Sequence, residues 1–223
     1  MITAIRNNIV SVGKAILTPF YRQSEEEIKA RIDKYETISF DVFDTLIERE
    51  GVRKPEDVFE LVGKHVGVKA FKKLRIESER TARRKTIKED IKLEEIYERL
   101  RAIDKALCQQ CMTTELEIEK EISRRKEEGC RLFNYAKEND KRIVIISNMY
   151  LSEEFIRSLL EQSGYSGFEK LFVSCEYGKR KGTGNLYRVA REYLKEEKWL
   201  HVGDNLAADV FGAKKAGVDF AIL

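Results

Sequence analysis

Five side chains of the 223-residue chain are of types that could share one reaction: Asp41, Ser147, Lys181, Asp204 and Asp209. A carboxylate can attack phosphorus to form an aspartyl phosphate, provided that a divalent cation and a lysine screen its charge and that of the phosphate. Asp41 and Asp204 supply two carboxylates that can hold such a cation. A ligand set that is all oxygen and sparse favours Mg²⁺, which keeps places for water and substrate. A hydroxyl such as that of Ser147 then donates to the transferring phosphoryl oxygens. Asp44 and Thr45 stand just beyond Asp41, Asn148 follows Ser147, and Lys179 offers a lysine at the same strand end as Lys181. Singly, such residues are ordinary turn formers and caps at strand ends; the whole set is not explained that way.

These groups can meet only if the elements carrying them end on one rim. Ile38–Phe40 run straight into Asp41, and Arg142–Ser147, Lys170–Cys175, Trp199–Asp204 and Phe220–Leu223 look alike: short and apolar on consecutive residues, as parallel strands covered on both faces should be. Helical patterns near 152–163, 183–197 and 207–216 separate the later ones. Strand and helix in alternation predict an α/β fold with a doubly wound, Rossmann-like parallel sheet, in which ligands bind at the carboxyl ends of the strands. The first strand thus ends on Asp41, the second on Ser147 and Asn148, the third on Glu176 with Lys179 and Lys181 beyond, and the fourth on Asp204 with Asp209 five residues on.

Between the first and second strands lie about a hundred residues with no strand pattern. Helices are expected near 55–63, 68–85, 92–102 and 106–123, with another near 125–139 that feeds the second strand. This predicts a core domain of residues 36–49 and 123–223, a helical domain of residues 50–122, and an N-terminal helical segment of residues 1–35. Residues 64–88 carry ten basic and two acidic side chains. A solvated helix face explains such a run, and a site for a phosphorylated substrate would use it too.

In the N-terminal segment, Ile2, Ile5, Ile9, Val12 and Ile16 form one apolar helix stripe that Pro19 ends. Such a stripe, with Arg6 and Lys14 among its few charges, packs on its own protein, lies on a membrane, or docks on a partner or a second copy. Ser24 followed by Glu27 reads as a capping box opening the next helix. A net charge of +3 is too small to announce a nucleic-acid binder, and no apolar run is long enough to span a membrane. Four scattered cysteines, with only Cys108 and Cys111 close, fit a cytoplasmic protein with reduced thiols. The C-x-x-C has no second pair to complete a metal site and reads as two neighbours on one helix.

The motifs together resemble the haloacid dehalogenase (HAD) superfamily of hydrolases. Phe40-Asp41-Val42-Phe43-Asp44-Thr45-Leu46, Ile146-Ser147-Asn148, Lys181 after Glu176-Tyr177-Gly178, and His201-Val202-Gly203-Asp204-Asn205 through Asp209 fall in the family's order. The resemblance implies Asp41 as nucleophile and metal ligand, Ser147 as phosphoryl donor and Lys181 as the screening lysine. It implies Asp204 as metal-binding aspartate, Asp209 as support for the metal directly or through water, and the Phe43 carbonyl as a further ligand. Thr45 and Asn148 would contact substrate, and residues 50–122 would be a C1-type cap. The implied activity is Mg²⁺-dependent hydrolysis of a small phosphorylated metabolite.

One position departs from the pattern. Phosphatases of this family usually carry a second aspartate two residues after the nucleophile as general acid and base, and here that residue is Phe43. Asp44, one residue later, does not simply inherit the role, because neighbouring side chains diverge. An aromatic residue there is similar to the family's dehalogenases, whose leaving halide needs no proton, but those enzymes use no metal. The expectation is a phosphatase that is slow, restricted to good leaving groups, or supplied with an acid from elsewhere. The alternatives are a dehalogenase-type hydrolase and a binding or regulatory module without useful turnover.

Overall fold

The computed structural model describes residues 21–196 and 198–223, so the apolar stripe of residues 2–16 lies outside them. The described residues form seven strands: β1 (Thr37–Phe40), β2 (Ile47–Arg49), β3 (Ser123–Arg125), β4 (Arg142–Ser147), β5 (Lys170–Val173), β6 (Leu200–Gly203) and β7 (Asp219–Ile222). Five pair in parallel in the order β5-β4-β1-β6-β7, which puts β1 at the centre. Every residue of β1 and β6 is buried. Along β4, Ile143 and Ile145 pack into one apolar cluster and Val144 and Ile146 into another, so both faces are covered and the strand reads as an unbroken apolar run.

One face is covered by α1 (Glu25–Ile32), α6 (Glu127–Glu138) and α7 (Glu153–Gln162), which bring Ile28, Leu132, Phe133 and Leu159 against the sheet. The Ser24–Glu27 capping box opens α1 as expected. The other face is covered by α9 (Asn185–Leu194) and the short α10 (Ala213–Lys215), through Leu186, Tyr187, Ala190 and Ala213. Each such fully buried large side chain contributes about 1.5–3 kcal/mol.

Between β1 and β4 the chain forms α2 (Val58–Val66), α3 (Phe71–Lys85), α4 (Leu93–Tyr97) and α5 (Lys105–Ile122). Their buried Phe59, Val62, Phe71, Tyr97 and Ile118 continue the larger sheet cluster, so the insertion and the sheet share one apolar core. Cys108 and Cys111 are free thiols on α5. The interval is not helical throughout, however: β2 and β3 pair antiparallel where the chain enters and leaves the insertion. Three-residue strands with the sequences Ile-Glu-Arg and Ser-Arg-Arg carry no apolar run by which a sequence pattern would betray them.

Two further corrections concern strand and helix ends. The third sheet strand stops at Val173, because Ser174 begins the one-turn helix α8 (Ser174–Tyr177). The expected helix at 207–216 is a π-helical stretch over Leu206–Gly212 followed by α10. Among the described residues no helix is long and apolar enough to cross a membrane.

Candidate active site

Asp41 follows the last residue of the central strand β1, and Asp204 follows the last residue of its neighbour β6. Asp209 returns to the same place on the π-helical turn, whose start is fixed by Asn205: its side-chain oxygen accepts from the amides of Ala207 and Ala208 at 3.0 and 3.3 Å. Carboxylate oxygens of Asp41, Asp204 and Asp209 all lie within 4.8 Å of one another. This is a donor set of hard oxygens suited to Mg²⁺. Two glycines make the approach possible. A Cβ at Gly203 would stand 2.4 Å from the Asp209 carboxylate, and one at Gly212 would stand 2.1 Å from the Lys181 carbonyl oxygen.

Lys181 is the buried cation of the cluster, its Nζ 2.5 Å from Asp41 Oδ1 and 2.6 Å from Asp209 Oδ1. Its backbone amide donates to Asn148 Oδ1 at 2.9 Å, so Asn148 anchors the loop that delivers it. Lys179 is exposed and does not line the cavity, and Glu176 turns to Lys92 instead. Burial opposes the Lys181 charge, but the two carboxylates hold its pKa up at about 12. Burial also resists the Asp209 charge, and Lys181 with His201 overcomes it, keeping Asp209 well below the ordinary carboxylate range. Asp41 goes the other way: burial, with Asp209 and Asp204 adding to it, pushes its pKa up to about 7 despite Lys181.

Both Asp209 oxygens are committed. Oδ2 accepts from the amides of Asp204 and Asn205 at 3.1 and 2.8 Å, while Oδ1 faces Lys181 and His201 Nε2, the latter at 3.1 Å. Burial depresses the His201 pKa, so the ring is neutral. An ionised Asp209 only accepts, which assigns the His201 proton to Nε2 and leaves Nδ1 to accept from Ser39 Oγ, 2.8 Å away. Ser39 in turn accepts from Trp199 Nε1 at 3.0 Å. This chain runs through the core beneath the site and fixes the orientation of Asp209.

Above the cluster is a cavity of about 700 Å³, lined by Asp41, Ser147, Asn148, Lys181 and Asp204 together with side chains of the insertion. The structure thus brings together Asp41, Ser147, Asn148, Lys181, Asp204 and Asp209. Thr45 is fully buried and absent from the lining, and its hydroxyl has no hydrogen-bond partner among the described residues. Phe43 lines the cavity beneath Arg49, whose guanidinium lies 4.0 Å from the ring centroid and is gripped by Glu119 at 2.8 and 3.0 Å. Asp44 also lines it, with a left-handed backbone (φ 60°).

The insertion adds Phe59, Ile76, Arg80 and Arg83 to the cavity, and the loop before α9 adds Arg180. Sequence reasoning did not single these out. The only hint was the basic run at 64–88, whose members divide: Arg75 is buried, Lys64 and Lys72 pair with acids, and Arg80 and Arg83 reach the cavity.

Fold, insertion and the order of the clustered residues define one class, and the sequence agrees: the haloacid dehalogenase-like hydrolase family model matches residues 35–217. The chain belongs to that family. Among solved structures it is similar to the HAD-hydrolase YfnB from Bacillus subtilis bound to magnesium, at 19% identity and TM-score 0.59 over 85% of this chain and 86% of that one. It is also similar to a 2-haloacid dehalogenase from Pseudomonas syringae pv. tomato DC3000, at 16% identity and TM-score 0.63 over 83% and 85% of the two chains. CbbY from Rhodobacter sphaeroides in complex with phosphate aligns at 18% identity and TM-score 0.57 over 83% and 84%. Identities this low speak for the fold alone. No curated protein matches the chain.

Proposed function

We propose that the chain is a Mg²⁺-dependent phosphoric monoester hydrolase acting through an aspartyl phosphate on Asp41, with a small phosphorylated metabolite as substrate and residues 50–122 as its cap. The observation that carries this reading is the placement of Lys181 against Asp41 and Asp209 beside Asp204, at the floor of one cavity. Three converging carboxylates beside one lysine form a set of hard oxygen donors that suits a divalent cation. Asp41, Asp204 and the Phe43 carbonyl would hold Mg²⁺, and Asp209, both of whose oxygens are already engaged, would orient its surroundings. When bound, Mg²⁺ supplies charge neutralisation to the phosphoryl group and its nucleophile.

In the first step a carboxylate oxygen of Asp41 bonds to phosphorus as the bond to the leaving oxygen breaks. Lys181 screens the charge, and Ser147 with Asn148 supplies donors at the cavity wall. Water then attacks the phosphorus of the aspartyl phosphate, releasing phosphate and restoring the Asp41 carboxylate. Four free thiols suit a reducing, cytoplasmic compartment.

One observation favours a second reading. The Phe43 ring, held by Arg49, leaves an apolar surface where a proton donor would otherwise stand, as cleavage of a carbon–halogen bond would allow. The carboxylate cluster weighs against it.

The test is phosphate release from a panel of phosphorylated metabolites with and without Mg²⁺. Turnover that needs Mg²⁺ and disappears in Asp41→Asn is expected. Turnover surviving Asp41→Asn, or halide release from a 2-haloacid without metal, would overturn the reading.

A further inference from the structure

The charges that line the cavity are unevenly compensated. Lys181 is bracketed by Asp41 and Asp209, Arg49 by the two oxygens of Glu119, and Arg83 by Glu79 and Asp90. Arg80 and Arg180 line the same cavity, and among the described residues neither guanidinium has a carboxylate partner. They differ in depth from the lysine as well. Lys181 is 1% exposed at the floor, whereas both arginines are exposed.

The two arginines come from different parts of the chain and rise from one seam. Glu89 accepts from the backbone amide of Arg180 at 2.9 Å and from Thr183 Oγ1 at 2.7 Å. Asp90, the next residue, accepts from Arg83, one helical turn beyond Arg80 on α3, and from Ser174 Oγ at 2.5 Å. The segment that docks the insertion on the sheet therefore holds the backbone of one arginine and the helix of the other. Glu79, next to Arg80, does not neutralise it, because its carboxylate is shared by Arg75 and Arg83. Asp44 and Glu56, lining carboxylates with no ion-pair partner among the described residues, come from another wall, the 43–59 segment, where they disfavour an anion.

From this we infer that Arg80 and Arg180 form a second anion subsite at the cavity mouth, so that the preferred substrate is a phosphate monoester carrying a further anionic group. The inference rests on the phosphatase reading above and narrows its substrate class. The deep lysine and the carboxylate cluster take the scissile phosphate, and the guanidinium forks take a carboxylate or a second phosphate farther along the ligand. A cavity of about 700 Å³ falls in the range of sites for metabolite-sized ligands, which has room for both groups.

Three esters of matched length test it: propyl phosphate, its analogue with a terminal carboxylate, and its analogue with a terminal phosphate. Expected is a kcat/KM at least about tenfold higher for one or both charged esters, the size of one charge-assisted contact. Arg80→Gln and Arg180→Gln should raise KM for the preferred ester with a smaller change in kcat, and the double variant should bring the ratio of specificity constants near one. Lys73→Gln, on the same helix but outside the lining, controls for net charge.

Equal constants for all three esters in the parent, or a preference that survives the double variant, would overturn the subsite. Calorimetric binding of the same esters to Asp41→Asn separates the two claims. A charged-ester preference in binding that the double variant abolishes, in a protein with no turnover, would retain the subsite and reject the phosphatase. No preference in binding would reject the subsite whatever the turnover.

Discussion

Two buried ionic networks in this protein are built to opposite ends. In the insertion, Arg75 is fully buried and gripped by both oxygens of Glu115 at 2.8 Å, with Tyr97 donating to the same carboxylate at 2.7 Å. The rings of Phe59 and Tyr150 lie 4.4 and 4.9 Å from its guanidinium carbon. One positive charge meets one fully buried negative charge in a planar fork, and the partly exposed Glu79 is shared outward with Arg83. At the sheet rim a single lysine faces Asp41 and Asp209, with Asp204 beside them. The first network is satisfied as it stands. The second gathers three carboxylates about one lysine, and their mutual repulsion is what a divalent cation would relieve.

The largest effect expected from this contrast is at Asp41. Asp41→Asn removes the proposed nucleophile and should take phosphoester turnover below detection, while removing a charge that burial and two neighbouring carboxylates disfavour. The variant should therefore melt at a higher temperature than the metal-free parent. Lost activity with lost stability would mean that the site is as balanced as the Arg75 network.

Phe43 sharpens the chemical half of the comparison. Without a proton donor two residues after the proposed nucleophile, an aryl phosphate, whose leaving group departs unprotonated, should be cleaved about 10²- to 10⁴-fold faster than an alkyl phosphate. Phe43→Asp should narrow that gap by raising the alkyl rate, although it also loosens Arg49. Asp44→Asn is the control, because Asp44 lines the cavity and a selective fall in alkyl turnover would identify it as the donor. Equal parent rates that Asp44→Asn leaves alone would mean that the proton comes from elsewhere, with the insertion the first place to look.

The balanced network should respond in stability. Glu115→Gln leaves Arg75 buried with its main counter-charge gone, a change that costs about 3–5 kcal/mol. Denaturant unfolding measures it. A loss below about 1 kcal/mol would show that Glu79 and the surrounding rings suffice.

The rim was legible in the sequence for a physical reason. Strands covered on both faces are short continuous apolar runs, and the polar residue that ends each run stands where the sheet delivers it, as Asp41, Ser147 and Asp204 do. The Arg75 network was not legible. Glu115 and Glu119 sit one turn apart on α5 as on any solvated helix, and only packing against α3 and β2 turns them inward to Arg75 and Arg49. The same holds for β2 and β3, whose pairing joins residues about 75 positions apart. Thr45 fails in the other direction: an expected substrate contact next to the nucleophile loop, it points into the core.

The smallest and most diagnostic effect is the coupling of pH to metal. The Asp41 pKa is raised from 3.8 to about 7 in the folded, metal-free protein. A carboxyl whose folded pKa lies above its unfolded value contributes stability that is complete below the unfolded value, about pH 4, and lost as the pH rises through about 7. Asp209, held below the ordinary range, stays ionised throughout that window. On the proposed reading Mg²⁺ would bind the ionised form, so at about pH 5.5 it would compete with the Asp41 proton and should shift the melting temperature little. Near pH 8.5 the proton is gone and the repulsion among the carboxylates is fully exposed. A concentration about 100-fold above Kd then contributes about 2.7 kcal/mol, or roughly 5–10 °C in a chain of this size. Asp204→Asn should flatten this dependence, whereas Glu115→Gln, which lowers the melting temperature far more, should leave the Mg²⁺ increment and its pH midpoint in place. A Mg²⁺ shift that is the same at both pH values would mean that Asp41 is already ionised at low pH, and that Lys181 neutralises the rim as completely as Glu115 neutralises Arg75.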